Sequence, residues 1–221
     1  RVLFAAANID AALSCAQPHV AMHILKNLNV GKTKSHHKSF VFLANALIRF
    51  VSVLEADVLP DEQTKVIGYM QNMGMKIPYE CLVSLLGCLA LRKRITESMY
   101  LFNTLRHFKH EKTKNTPATN DHDDRKTNHA LAVLISAVGR AGMPRVLNKL
   151  LTDVFHPKKG NHVIHVDLQI VESTVEALRC IEQPRRAIEI WIKGGEKLTR
   201  LVCNNVLICY GMTCQIRKIK Y

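Results

Sequence analysis

Several groups of side chains stand at spacings that chemistry could use. His19 and His23, four apart, and His107 and His110, three apart, match the ligand spacing of one helix face, while His162 and His165 lie in a link. A catalytic zinc needs a third ligand and a general base close by. The sequence offers neither, and HExxH is absent. These read as surface histidines. Asn29-Val30-Gly31-Lys32-Thr33 ends like a phosphate-cradling loop, but Lys26 stands where that loop needs glycine, and a helix precedes it where a strand is required. Asp121, Asp123 and Asp124 could hold a cation weakly, yet lack the glycine and the glutamate of a calcium loop. Cys81 and Cys88, seven apart, share a helix face and a core. With no acid–base pair, activated nucleophile or cofactor motif, the reading is a non-enzyme without cofactor or metal.

The remaining chemistry is electrostatic. Lys and Arg total 31 against 18 Asp and Glu, a formal net charge of +13. A surplus of that size points to an anionic partner, nucleic acid first. The alternative is a generally basic organellar protein. The cations gather between apolar segments: Lys32, Lys34 and Lys38 beside His36 and His37; Arg92-Lys93-Arg94; Arg140 and Arg145; Lys158-Lys159; Arg185-Arg186; and Arg217, Lys218 and Lys220. Each cluster alone reads as a solvated turn. The recurrence of Arg92-Lys93-Arg94, Arg140 with Arg145, and Arg185-Arg186 at the turns inside helix pairs suggests a basic stripe that meets RNA phosphates without reading bases.

Helices must position these clusters. Gln17-Pro18, Met143-Pro144 and Gln183-Pro184 each precede apolar residues at helical spacing, and proline is favoured at the first helical position because no N–H is needed there. Ile95-Thr96-Glu97 leads into a fourth such helix without proline. In front of each second helix stands another apolar helix. Its equivalent positions are read as Asn45, Val83, Ala132, Glu172 and Asn205, spaced 38, 49, 40 and 33 residues apart. Ala132 to Glu172 and Pro144 to Pro184 both span 40 residues, a shared phase that unrelated helices would not keep.

The expected fold is therefore all-α: an α-solenoid of about six helix–turn–helix units, the last incomplete. The units are roughly 1–30, 36–76, 77–109, 127–156, 163–195 and 198–221. Residues 110–126 read as a polar loop inserted between the third and fourth, because Glu111–Thr127 has no large apolar residue to bury. Apolar residues make up 48% of the chain, yet its longest apolar stretches fall well short of the ~20 residues a membrane span needs. Seven cysteines without a CxxC pair read as buried reduced thiols. The chain starts at Arg1 and stops within an apparent helix, which reads as a processed or incomplete chain.

Asn45-Ala46-Leu47-Ile48, Asn205-Val206-Leu207-Ile208 and, more loosely, Ala132–Ile135 resemble the first-helix pattern of the pentatricopeptide repeat family. Ala137–Gly142 is similar to the family's first-helix ending, and Met70–Tyr79 to its bridge between repeats. The resemblance covers nearly the whole chain in degenerate form. It implies RNA-linked work in a mitochondrion, less so a chloroplast, and it places Asn45, Val83, Ala132, Glu172 and Asn205 where some members read bases. Val and Ala cannot hydrogen-bond a base edge and Glu repels the backbone, so only Asn45 and Asn205 remain as weak base-facing positions. The resemblance then implies a scaffold in a mitochondrial ribonucleoprotein such as the mitochondrial ribosome, binding rRNA phosphates and neighbouring proteins. The alternative is a free organellar RNA-binding factor in transcript processing, stability or editing. Neither a membrane nor a small-molecule substrate is expected.

Overall fold

The apolar periodicity resolves as helix. A computed structural model describes residues 2–28, 37–112, 120–156, 166–193 and 200–219; within these, the side chains of 37, 38, 40, 106–112, 120–124, 200–203 and 214–219 are not described. Among the described residues there are eleven α-helices and no strand: α1 (Val2–Ser14), α2 (Pro18–Lys26), α3 (His37–Ala56), α4 (Pro60–Asn72), α5 (Tyr79–Leu91), α6 (Ile95–Lys112), α7 (Asn120–Arg140), α8 (Pro144–Phe155), α9 (Leu168–Cys180), α10 (Pro184–Lys193) and α11 (Arg200–Ile219). None of them is long and apolar enough to cross a membrane.

Five of the links between helices are the same object. Three residues separate α1 from α2, α3 from α4, α5 from α6, α7 from α8 and α9 from α10. The middle residue of each has a positive φ: Ala16 (54°), Val58 (53°), Lys93 (62°), Gly142 (66°) and Glu182 (59°). At four of them, two backbone bonds close the end of the first helix. Ala16 N–H donates to Leu13 and Gln17 N–H to Ala12; Val58 and Leu59 bond Glu55 and Leu54; Gly142 and Met143 bond Gly139 and Val138; Glu182 and Gln183 bond Arg179 and Leu178. This is the Schellman pattern, which satisfies carbonyls that a helix end leaves open. The next helix then starts two residues after the left-handed one, on Pro18, Pro60, Pro144 or Pro184, or on Ile95. Pro60 is a start that the apolar periodicity did not single out.

The residues 110–126 are not a single loop. α6 continues to Lys112 and α7 begins at Asn120, so only 113–119 fall outside the described residues. Burial is not required of every helical turn. The start of α7 extends a helix whose later turns, from Ala130 on, are buried, and propagation adds a hydrogen bond per residue once a helix exists.

The chain forms two compact units, Arg1–Arg92 and Lys93–Tyr221. In the first, α1 packs on α2 and α3, and α3 packs on α4 and α5. Its core gathers Ile9, Leu43, Leu47, Phe50, Met70 and Leu86. One polar group lies inside it. The amide of Gln63, fully buried, donates from Nε2 to the Val51 carbonyl and to Ser84 Oγ, both at 2.9 Å, and Ser84 Oγ donates in turn to Glu55 Oε2 at 2.7 Å. Three helices are thereby held in one register.

In the second unit, α7 packs on α6, α8 and α9, and α9 packs on α10 and α11. α7 and α9 approach unusually closely. A Cβ on Gly139 would lie 2.4 Å from Ala177 Cα, so glycine is required there. Polar side chains join the same two helices along their length: Asn128 to Asp167 at 2.9 Å, His129 to Gln169 at 2.7 Å, and Ser136 to Glu176 at 2.8 Å. Asp167 also caps α9, accepting from Ile170 N–H at 3.0 Å.

Candidate nucleic-acid interface

The three-residue turn decides where the basic clusters stand. In four of the five its backbone is fixed by the Schellman bonds and the following proline, so side chains on either side of it are free to differ. In the second unit they are mostly cationic.

The structure divides these cations into two groups. Arg140 donates from Nε and Nη2 to Glu176 Oε1 at 3.0 and 2.7 Å, linking the end of α7 to α9. Arg186 donates from Nη1 to Asn148 Oδ1 at 2.6 Å and to Gln183 Oε1 at 2.7 Å, which ties the first turn of α10 to the second turn of α8. Arg94 pairs with Glu97, Nε to Oε1 at 2.7 Å. In the first unit, Arg92 Nε donates to the Val58 carbonyl at 2.7 Å. These four arginines pin helices and turns. Lys93, Arg145 and Arg185 instead are exposed and make no hydrogen bond or ion pair among the described residues. Lys149, one helical turn beyond Arg145, joins them. It was missed in the sequence because it stands inside a helix rather than at a turn; its spacing of four from Arg145 was the available signal.

Other basic positions cannot be placed. Lys32, Lys34, Lys158 and Lys159 lie outside the described residues, and the side chains of Lys38, Arg217 and Lys218 are not described.

The presumed base-facing positions change most. Measured from the left-handed turn residue, Val83, Ala132 and Glu172 each lie ten residues upstream, of Lys93, Gly142 and Glu182 respectively. Asn45 lies thirteen upstream of Val58, and Ile48 occupies the tenth place. Asn45 is thus one helical turn out of register with the others, the likeness of its local sequence notwithstanding. It is exposed. Asn205 is not available to an external base, being only 7% exposed on α11. Val83 and Ala132 are core residues, at 4% and 1%.

Among the described residues no group of three His, Cys, Asp or Glu could hold a metal ion. His19 and His23 are exposed on α2, with His23 Nε2 3.0 Å from the Asn27 amide nitrogen. They border a cleft of about 410 Å³ between α2, α3 and α4, floored by Met22, Phe50 and Leu54. Across it Glu62 is engaged with Lys65 at 2.6 Å, and that contact raises the Lys65 pKa. Burial pushes the Cys81 and Cys88 thiols up to about 11, which leaves them protonated and poorly nucleophilic at neutral pH. Asn29–Thr33, His162 and His165 lie outside the described residues, and nothing is described of the side chains of His107, His110, Asp121, Asp123 and Asp124.

No family model matches the chain, and no curated protein sequence matches it.

Proposed function

We propose that the protein is a non-catalytic scaffold of a mitochondrial ribonucleoprotein, with the mitochondrial ribosome as the assembly that fits it best. Its helix pairs would stack as a solenoid resembling degenerate pentatricopeptide repeats, meeting rRNA through phosphates and neighbouring proteins through the remaining surface.

One observation carries this reading. The same three-residue turn recurs in five links between helices, and in the second unit it is flanked by cations, while three of the five first-helix positions expected to read bases, Val83, Ala132 and Asn205, are buried. Such a surface attracts a polyanion without selecting its sequence. The net charge of +13 agrees in sign and size.

The test is sedimentation of the tagged full chain from gently lysed mitochondria. Comigration with a large ribonucleoprotein, released by ribonuclease, is the expected result. Migration as a free protein sinks the scaffold reading, and free migration with tight, sequence-selective RNA binding would install a transcript-processing factor in its place.

A further inference from the structure

Three of the cations left over after the helices are pinned gather at one place that can be named. We infer that Arg145, Lys149 and Arg185, on the first two turns of α8 and the first turn of α10, form the surface that takes the phosphate backbone of a folded RNA. The inference rests on the RNA-linked reading given above and narrows it to three side chains of the second unit.

The argument begins with position. Arg145 and Arg185 are forty residues apart and each follows the proline that opens its helix, so identical turns aim them alike. The Arg186–Asn148 bond of 2.6 Å and the Arg140–Glu176 pair of 2.7 Å hold the two hairpins side by side. The Arg186–Asn148 bond joins the start of α10 to α8, so Arg145 and Arg185 flank one junction. Lys149 extends the α8 row by one turn.

Charge points the same way. All three cations are exposed and unpaired among the described residues. Arg186 adds a fourth positive charge, since its partners Asn148 and Gln183 are neutral. Glu182, Glu189 and, one turn beyond Lys149, Asp153 are the acids beside these four cations, which keep a surplus there. Solvent-exposed like charges this close repel one another, and a polyanion relieves that repulsion.

Finally, the surface has no aromatic platform for unpaired bases. Neither 140–149 nor 181–189 contains an aromatic residue to stack on an unpaired base. Without a stacking platform these cations suit phosphates, and a folded RNA that presents them on a rigid surface is favoured over a flexible strand.

The experiment titrates the full chain with a hairpin RNA and with poly(U) of matched length, between about 50 and 200 mM salt. Three contacts contribute a slope of about 0.7–0.9 each to log K against log salt. The variant R145A/K149A/R185A is expected to lose about two to three from that slope, and roughly tenfold or more in affinity at low salt. R145K/R185K, which keeps the charge, is expected to retain both. A control, K26A/K65A/K76A, removes as many charges from the first unit and is expected to leave the slope unchanged. A wild-type slope in the alanine variant overturns this surface while the RNA reading stands. An equal loss in the control makes the contact diffuse and overturns it too. Tighter binding of poly(U) than of the hairpin overturns the folded-RNA ligand. No binding of either RNA by the wild type overturns the surface and the RNA reading together.

Discussion

The two units are built with the same turn and put to different electrostatic use. Residues 1–92 carry nine basic and six acidic side chains, a net +3, whereas 93–221 carry twenty-two and twelve, a net +10. The turn joining α1 to α2 has no charged residue, and the one joining α3 to α4 is acidic, with Asp57 inside it and Asp61 and Glu62 just beyond. The turns of the second unit bear Lys93, Arg94, Arg140, Arg145, Arg185 and Arg186. A backbone-specified turn leaves its flanking side chains free, and the chain has used that freedom in opposite directions. The units also differ in how their first helices meet. A buried amide network ties α3, α4 and α5, while close approach and a row of polar bonds tie α7 to α9.

That contrast can be broken most severely at Gly139. Gly139→Ala drives a methyl group into the Ala177 backbone and is expected to cost roughly 3 kcal/mol or more, read as a lost thermal or denaturant transition of the second unit. A variant that melts like the wild type would show that the close approach is not required. Next come the thiols. Cys81 and Cys88 are buried with pKa near 11, and Cys15 is exposed, so at pH 8 the native protein should be alkylated at Cys15 at least about a hundredfold faster. The linked stability has a definite sign. A thiol held above its unfolded pKa stabilises the fold fully below that value, so the first unit should lose stability as the pH rises from about 9 through about 11. A pH-independent melt across that window contradicts it.

Smaller effects sharpen the comparison. Glu176→Gln weakens the pair with Arg140, whose arginine side is well exposed; a double-mutant cycle should give about 0.5–1 kcal/mol, and near zero would make Arg140 available to a ligand. Gly68 in α4 offers the counterpart to Gly139, since nothing lies within 4 Å of a Cβ placed there. Gly68→Ala should stabilise the first unit by about 0.5–1 kcal/mol, with a matching rise in its unfolding midpoint.

Helix positions were largely legible because proline and apolar spacing are local signals. Pro18, Pro144 and Pro184 open helices as their sequence surroundings indicate. Register was less so. Asn45-Ala46-Leu47-Ile48 and Asn205-Val206-Leu207-Ile208 look alike, yet only the left-handed turn residue reveals that Asn45 stands a full turn early, and only packing reveals that Asn205 is buried. The turns themselves were hard to foresee because four of the five place a non-glycine residue at positive φ. Val58 is the extreme case, since a branched side chain disfavours that conformation. The cations were legible as clusters but not as roles. Arg140 and Arg145 look equivalent in sequence, and only the acid at Glu176, thirty-six residues away, separates a pinning arginine from a free one. The division of the chain at Arg92 depends on long-range packing and left no local mark.

The three-residue links also bear on how quickly the protein assembles. Closing a loop that short costs little chain entropy, and contacts between near neighbours in sequence can form early. Within the units, the pairs α1–α2, α3–α4, α7–α8 and α9–α10 can therefore zip as soon as the second helix is available, without waiting for distant partners. The slow steps are then the side-to-side joins: Gln63 finding Ser84 in one unit, and Gly139 seating against Ala177 in the other. Amide-exchange protection should accordingly appear first within hairpins and only afterwards between them.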